Sequence, residues 1–272
     1  MLYLSHKPQP PLSDFVEVLW LYQGYQTSHE KERLMPDGSV ELVINLAEDR
    51  IRNYDARDPD RFKTIPGCVV SGPRSEFFVI DTVGQAAVVG VHFKPGGAFP
   101  FFRVPPGEMI NQSVALECLW GNDSSLLRER LLAASAPQER LRILEGCLLQ
   151  QLSRPLERHP VVSFALQQIC RPLPPPSISQ IVDRTGFSQR HFIQLFSDEV
   201  GLTPKLFSRV SRFQKVIRTA HPLAEINWIE VALGCGYYDQ AHFIHDFQSF
   251  AGITPSEYLS RKTAHINHVP LD

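Results

Sequence analysis

Residues 229–258 read IEVALGCGYYDQAHFIHDFQSFAGITPSEY. Phe243 and Phe247 recur one helical turn apart, and Ala241, His245 and Gln248 fall on the opposite side. Helix punctuation surrounds this stripe. Asn227 with Glu230 supplies a start, Gly236 a turn position where positive φ costs little, and Asp239 a second N-cap. Gly252 is a stop, and Thr254-Pro255 opens a further helix. The same pattern occurs upstream. His191-Phe-Ile193 returns as His242-Phe-Ile244, Phe196 as Phe247, Gly201 as Gly252 and Thr203-Pro204 as Thr254-Pro255, always 51 residues apart. In the upstream copy Ser177 and Gln180 form an S-x-x-Q capping box, Gly186 sits in the turn, and Ser188 caps a helix that ends near Val200.

Two short helices joined by a tight glycine turn match the helix-turn-helix pattern, whose second helix enters the DNA major groove. The resemblance then becomes specific. Ala232-Leu233, Gly236-Tyr237, Asp239-Gln240, His242-Phe243, Phe247, Gly252, Thr254-Pro255 and Tyr258 are similar to the signature of AraC-type transcriptional regulators. Gly186-Phe187-Ser188, Arg190-His191, Phe196, Gly201 and Pro204 resemble that family's first helix-turn-helix. The resemblance implies seven helices, with a long one over about Pro204–Thr219. That helix would hold two recognition helices about 34 Å apart, one turn of DNA. Further upstream, PDGSVELVINL (36–46), VHFKPGGA (91–98) and Leu119-Trp120-Gly121 resemble the sensory domain of one subgroup.

In the first recognition helix Phe192, Leu195 and Phe196 share the inner side, while Arg190, Gln194 and Ser197 point away. Arg pairs bidentately with guanine and Gln with adenine, so Arg190 and Gln194 are the leading base readers, flanked by Gln189 and Ile193. In the second, Gln240 and His245 are the candidates, and Ala241 stands where the first helix has Arg190. Ser188, His191, Arg209, Arg212, Lys215 and His242 are candidate phosphate contacts. Charge is split the same way. Residues 177–223 hold seven Lys and Arg against three Asp and Glu, and residues 224–272 hold two against six. Because counterion release makes basic groups the source of sequence-independent affinity, the first module is expected to anchor the complex.

The whole chain of 272 residues has a net charge of -2, which excludes binding nucleic acid by bulk charge alone. It suggests two domains at roughly 150 residues each. Residues 171–176, RPLPPP, read as an extended connector. The expected class is therefore α+β. Residues 1–170 form a sensory domain, a small β-barrel or antiparallel sheet with helices. Residues 177–262 form an all-α double helix-turn-helix, and 263–272 a tail. Period-two alternation marks strands in Ser39–Leu46, Phe77–Ile80 and Gln85–Phe93. From Ser113 the pattern is helical, with leucine stripes at 126, 127, 131 and 132 and at 141, 144, 148 and 152, then a helix over Val161–Cys170.

Glu41 and His92 are the polar residues on strand faces that would anchor a small-molecule effector in a largely apolar pocket. No catalytic motif is present: there is no G-x-S-x-G and no phosphate loop. No metal is expected in the N-terminal domain, since no second His or Cys there stands at metal-ligand spacing, and no cofactor is expected. The five cysteines lack CxxC spacing and read as small buried apolar residues. No secretory signal or 18-residue apolar run is seen, so the expected location is cytoplasmic, away from membrane. The expected function is a sequence-specific DNA-binding regulator under effector control. Its partners are double-stranded DNA, a small molecule, a second copy of the chain through spare leucines and, for an activator, RNA polymerase. The alternative is an enzyme or small-molecule binding protein whose helical half is only structural.

Overall fold

A computed structural model describes residues 1–24, 29–171 and 176–271. The N-terminal half runs β1 (Leu2–His6), β2 (Val16–Gln23), β3 (Lys31–Leu34), β4 (Glu41–Asn45), β5 (Arg50–Tyr54), β6 (Phe62–Pro66), β7 (Cys68–Ser71), β8 (Phe78–Asp81), β9 (Ala87–Phe93) and β10 (Ser113–Ala115). Four helices follow: α1 (Leu116–Trp120), α2 (Asp123–Ala133), α3 (Pro137–Gln150) and α4 (Pro160–Ile169). The C-terminal half holds α5 (Ile178–Asp183), α6 (Gln189–Val200), α7 (Pro204–Ala220), α8 (Trp228–Gly234), α9 (Gln240–Ala251), α10 (Pro255–Arg261) and a last strand, β11 (His268–Pro270).

The strands form two open antiparallel sheets, ordered β1-β2-β9-β4-β7-β10 and β11-β3-β8-β5-β6. Of the two forms expected for this half, the antiparallel sheet is found and no barrel closes. Alternation sets the packing. One face of the first sheet puts Leu42, Ile44, Val70, Val89 and Val91 against Leu127 and Leu131 of α2 and Leu144 and Leu148 of α3. Each such burial stabilises by about 1.5–3 kcal/mol. Leu126, Leu132 and Leu152 of the expected stripes stay exposed. Ser113–Ala115 departs from the helical reading, because it pairs with β7 as an edge strand before α1 begins. Three residues are too few for a period to register.

The helical half has its own core, in which Phe192, Phe196, Phe213, Phe243 and Phe247 meet. The capping residues behave as their chemistry dictates. Ser177 and Gln180 close a capping box; Ser188, Thr203 and Asp239 accept from helix-start N–H groups; Gly201 and Gly252 end their helices at positive φ. Thr254 and Glu257 close a second capping box. Val162, Ala165 and Ile169 of α4 pack into this same core, so this helix, expected within the domain of residues 1–170, packs instead with α5 through α10. Of the expected connector, Pro172–Pro175 lie outside the described residues, as does Asp272.

The two halves interlock. The stretch expected as a tail supplies β11, which pairs with β3 and buries Val269 among the helices. Gln214, in the middle of α7, donates to the Pro36 carbonyl at 2.8 Å and to Asn267 Oδ1 at 2.9 Å. Of the five cysteines, Cys68, Cys147 and Cys235 are buried as expected. Cys118 and Cys170 are instead exposed, on the outer side of α1 and at the C-terminal end of α4. Among the described residues no helix is long and apolar enough to cross a membrane, and no group of His, Cys, Asp and Glu could hold a metal ion.

Candidate DNA interface and ligand cavity

The first recognition helix, α6, buries Phe192 and Phe196 and turns Gln189, Arg190, His191 and Gln194 to solvent, with Ile193 half-buried. Arg190 forms no hydrogen bond or ion pair among the described residues, so its guanidinium is available to a ligand. Gln194 donates to Asp198 Oδ1, one turn on, at 2.7 Å. Ser188 spends its side-chain oxygen as an acceptor for the His191 N–H. In α9, Gln240 and His245 are exposed and Phe243 and Phe247 are buried.

The candidate phosphate contacts divide. Lys215 is exposed on α7. Arg212 lies over the Tyr237 ring, 5.1 Å from its centre. Arg209 is committed inside the protein: its Nη2 meets Asp246 Oδ1 at 2.6 Å, and its guanidinium lies over Phe250. His242 is half-buried, packed edge-on against Tyr237 with Nε2 3.7 Å from Asp246. The sequence reading takes Arg209 as a phosphate contact on the linking helix. That reading had no signal that Asp246, from 37 residues further on, is buried beside it.

The opposite face of the first sheet lines a cavity of about 570 Å³, and the second sheet and the segment around β11 supply its other walls. The strand register orders its floor. Val18, His92, Glu41, Ser71 and Ser113 lie side by side across five strands. The next row is Trp20, Gly90, Val43 and Val69. A polar row thus borders an apolar one. Gly90 is required here, because a Cβ would come within 2.4 Å of the Trp20 ring.

Glu41 and His92 are brought together. Glu41 Oε1 accepts from Trp20 Nε1 at 3.0 Å and lies 3.7 Å from His92 Nδ1, while Asp37 Oδ2 is 3.4 Å from His92 Nε2. Burial works against the imidazolium, but Asp37 and Glu41 outweigh it and lift His92 to about 9. Sequence reasoning missed most of the other polar groups: Arg74, Asp81 and the histidines 265 and 268. Arg74 follows a strand in a turn, and the histidines sit in a segment without periodicity, so no pattern marked them.

The N-terminal half touches both recognition helices at their C-terminal ends. A Cβ on Gly201 would meet Pro73 at 2.2 Å, and one on Gly252 would meet Phe77 at 2.2 Å. Glu199 of α6 is also buried at this junction, accepting from the His159 N–H at 3.2 Å. Burial raises its carboxyl to about 7, against the lowering effects of the His159 N–H and Arg158. Folding therefore takes up a proton at this site, and its contribution to stability falls as pH rises from about 4.5 to about 7. Glu199→Gln is expected to remove this dependence and to stabilise the protein at pH 8 by roughly 2 kcal/mol, read from urea unfolding at pH 5 and pH 8. Unchanged curves at both pH values would contradict it.

Residues 181–261 match a family described as a helix-turn-helix domain, and residues 4–115 match one described as a domain of unknown function (DUF6597). Residues 181–261 are a helix-turn-helix domain of the AraC type. The chain is 27% identical over 81 residues to an uncharacterized HTH-type transcriptional regulator of Haemophilus influenzae. The match takes in 30% of this chain and 27% of that protein, so the chain spans about a quarter of the curated relative's length. Among solved structures, ToxT of Vibrio cholerae with bound unsaturated fatty acid is 11% identical, with a TM-score of 0.46 and 94% of each chain covered. ToxT bound to (E)-4-(8-methylnaphthalen-1-yl)but-3-enoic acid is 10% identical, with a TM-score of 0.48, covering 95% of this chain and 98% of that one. Within the AraC-type domain, α6 and α9 are the second helices of the two helix-turn-helix units.

Proposed function

We propose that the chain is a sequence-specific DNA-binding transcription regulator, working in the cytoplasm and not as an enzyme, whose AraC-type domain answers to a small molecule held in the cavity. The observation that carries this reading is the exposed start of α6, where Gln189 and Arg190 stand free on a helix whose other face is buried. Arg190 reads a base, Gln189, Ile193 and Gln194 flank it, and Lys215, Arg212 and Ser188 meet phosphates. Gln240 and His245 supply a weaker second readout. Glu41 and His92 are effector anchors. The loop at Pro36–Gly38 joins the two functions: Asp37 reaches His92 in the cavity, and Pro36 accepts from Gln214 of α7. An effector acts by favouring one arrangement of the two halves over another. Self-association through the exposed leucines of α2, and contact with RNA polymerase if the protein activates, belong to the same reading.

A mobility shift on DNA upstream of the chain's own gene and its neighbours tests it. Arg190→Ala is expected to weaken binding by about 1–3 kcal/mol at fixed salt, and His245→Ala by less. An equal or larger loss for His245→Ala would sink the asymmetry between modules. The cavity by itself also suits a small-molecule binding protein with a purely structural helical half. That second reading takes over if no saturable, sequence-dependent shift is found at modest salt.

A further inference from the structure

Among the described residues the charged groups of the cavity are paired, with one exception. Asp81 is held by Arg52, Glu32 by His29 and His268, and Asp37 and Glu41 by His92. Arg74 is 8% exposed, and its hydrogen bonds go only to hydroxyls among the described residues. Its Nε and Nη2 donate to Ser71 Oγ at 3.3 and 3.2 Å, and Nη2 donates to Ser113 Oγ at 2.7 Å. Its guanidinium lies over the Phe78 ring, 4.4 Å from the centre. Burial pulls its pKa down to about 10, with the charge of Glu76 acting the other way, so it remains a cation at neutral pH. Hydroxyls orient a guanidinium but do not neutralise it, and a buried charge without a counterion is costly.

We propose that Arg74 is the head-group site of the cavity, and that the ligand it takes is a monoanionic carboxylate on an apolar body. The proposal rests on reading the cavity as a ligand site. Among the described residues Nη1 makes no hydrogen bond, so it is the donor left for a carboxylate, and the Ser71 and Ser113 hydroxyls, which accept from Arg74, keep their own O–H to donate beside it. Ser71 and Ser113 flank the head at the end of the polar row. The apolar body then lies along the next row, over Val43, Val69 and Trp20. A dianionic head is disfavoured, because Glu41 is the direct register partner of Ser71. Arg74 also belongs to the segment whose Pro73 and Phe77 abut the ends of α6 and α9, so neutralising it acts on a stretch of the N-terminal half that touches both helices.

The test uses the full chain and four probes with one body: octanoate, octanol, octylamine and octyl phosphate, titrated by calorimetry and by tryptophan fluorescence. Octanoate is expected to bind at least about 10-fold tighter than the other three. Arg74→Met is expected to weaken octanoate about 30-fold or more and to leave octanol unchanged. Should Arg74→Met fail to fold, Arg74→Lys keeps the charge and is expected to retain the preference for octanoate over octanol. Equal binding of octanol or octyl phosphate, unaltered octanoate binding by Arg74→Met, or no binding by any probe overturns the proposal. Operator affinity is measured separately. If octanoate binds through Arg74 without moving operator affinity, the site stands and the regulatory reading falls.

Discussion

Arg209→Ala is expected to lower the unfolding free energy of the protein by about 4 kcal/mol, the cost of breaking a buried ion pair by removing one partner. Asp246 is 1% exposed and receives two hydrogen bonds from Arg209, from Nε at 3.2 Å and Nη2 at 2.6 Å. Without Arg209 the carboxylate keeps only His242 and His245 near it, at 3.7 and 4.0 Å. The reverse substitution is milder. Asp246→Asn leaves a guanidinium whose side chain is 32% exposed and can turn toward water, so about 2 kcal/mol is expected. Urea unfolding of the DNA-free protein measures both. A phosphate contact would behave in the opposite way: stability unchanged and operator binding weakened. That pattern would return Arg209 to the DNA surface.

Phe247→Ala is expected to cost about 3–5 kcal/mol, the range for emptying a buried aromatic site that cannot collapse. Phe247 is fully buried, with ring centres of Phe213 at 5.3 Å, Phe243 at 5.7 Å, Tyr258 at 5.8 Å and Trp228 at 6.0 Å. These neighbours come from α7, α8, α9 and α10, so the cavity would open at a junction of four helices. The repeat predicts the same cost for Phe196→Ala, where Phe192 and Phe207 are the ring neighbours. Denaturant midpoints compared with the parent chain decide it. A loss below about 1 kcal/mol at Phe247 would mean that the second module is loosely packed.

The helical half was visible in the sequence because its signals are local. A cap, a turn glycine and a one-turn apolar spacing are each set within a few residues, and the 51-residue repeat states them twice. The strand at 41–45 was equally plain from alternation, and alternation put Glu41 and His92 on faces that the sheet register then joined. What stayed hidden was set by pairing over long distances. Arg74 gains its meaning from Ser113, 39 residues away, and Arg209 from Asp246. The segment at 263–271 looked like a tail because a three-residue strand has no period, yet it forms the edge of a sheet whose other strands all lie before residue 82. Half of the second module's six acidic residues have a structural role. Asp239 caps α9, Glu257 completes the capping box of Thr254, and Asp246 is the ion-pair partner of Arg209.

The glycines that end α6 and α9 have a consequence for operators. Gly201 rests on Pro73 and Gly252 on Phe77, four residues apart in one short stretch of chain between β7 and β8. The helix α7 joins the two modules, but this stretch braces them from behind like the jaws of a caliper. On the proposed reading, the distance between the two half-sites that one chain can span is therefore gauged partly by its N-terminal half. On that reading, a chimera that keeps this AraC-type domain and exchanges residues 72–77 is expected to keep the proposed base readers and to change the spacing.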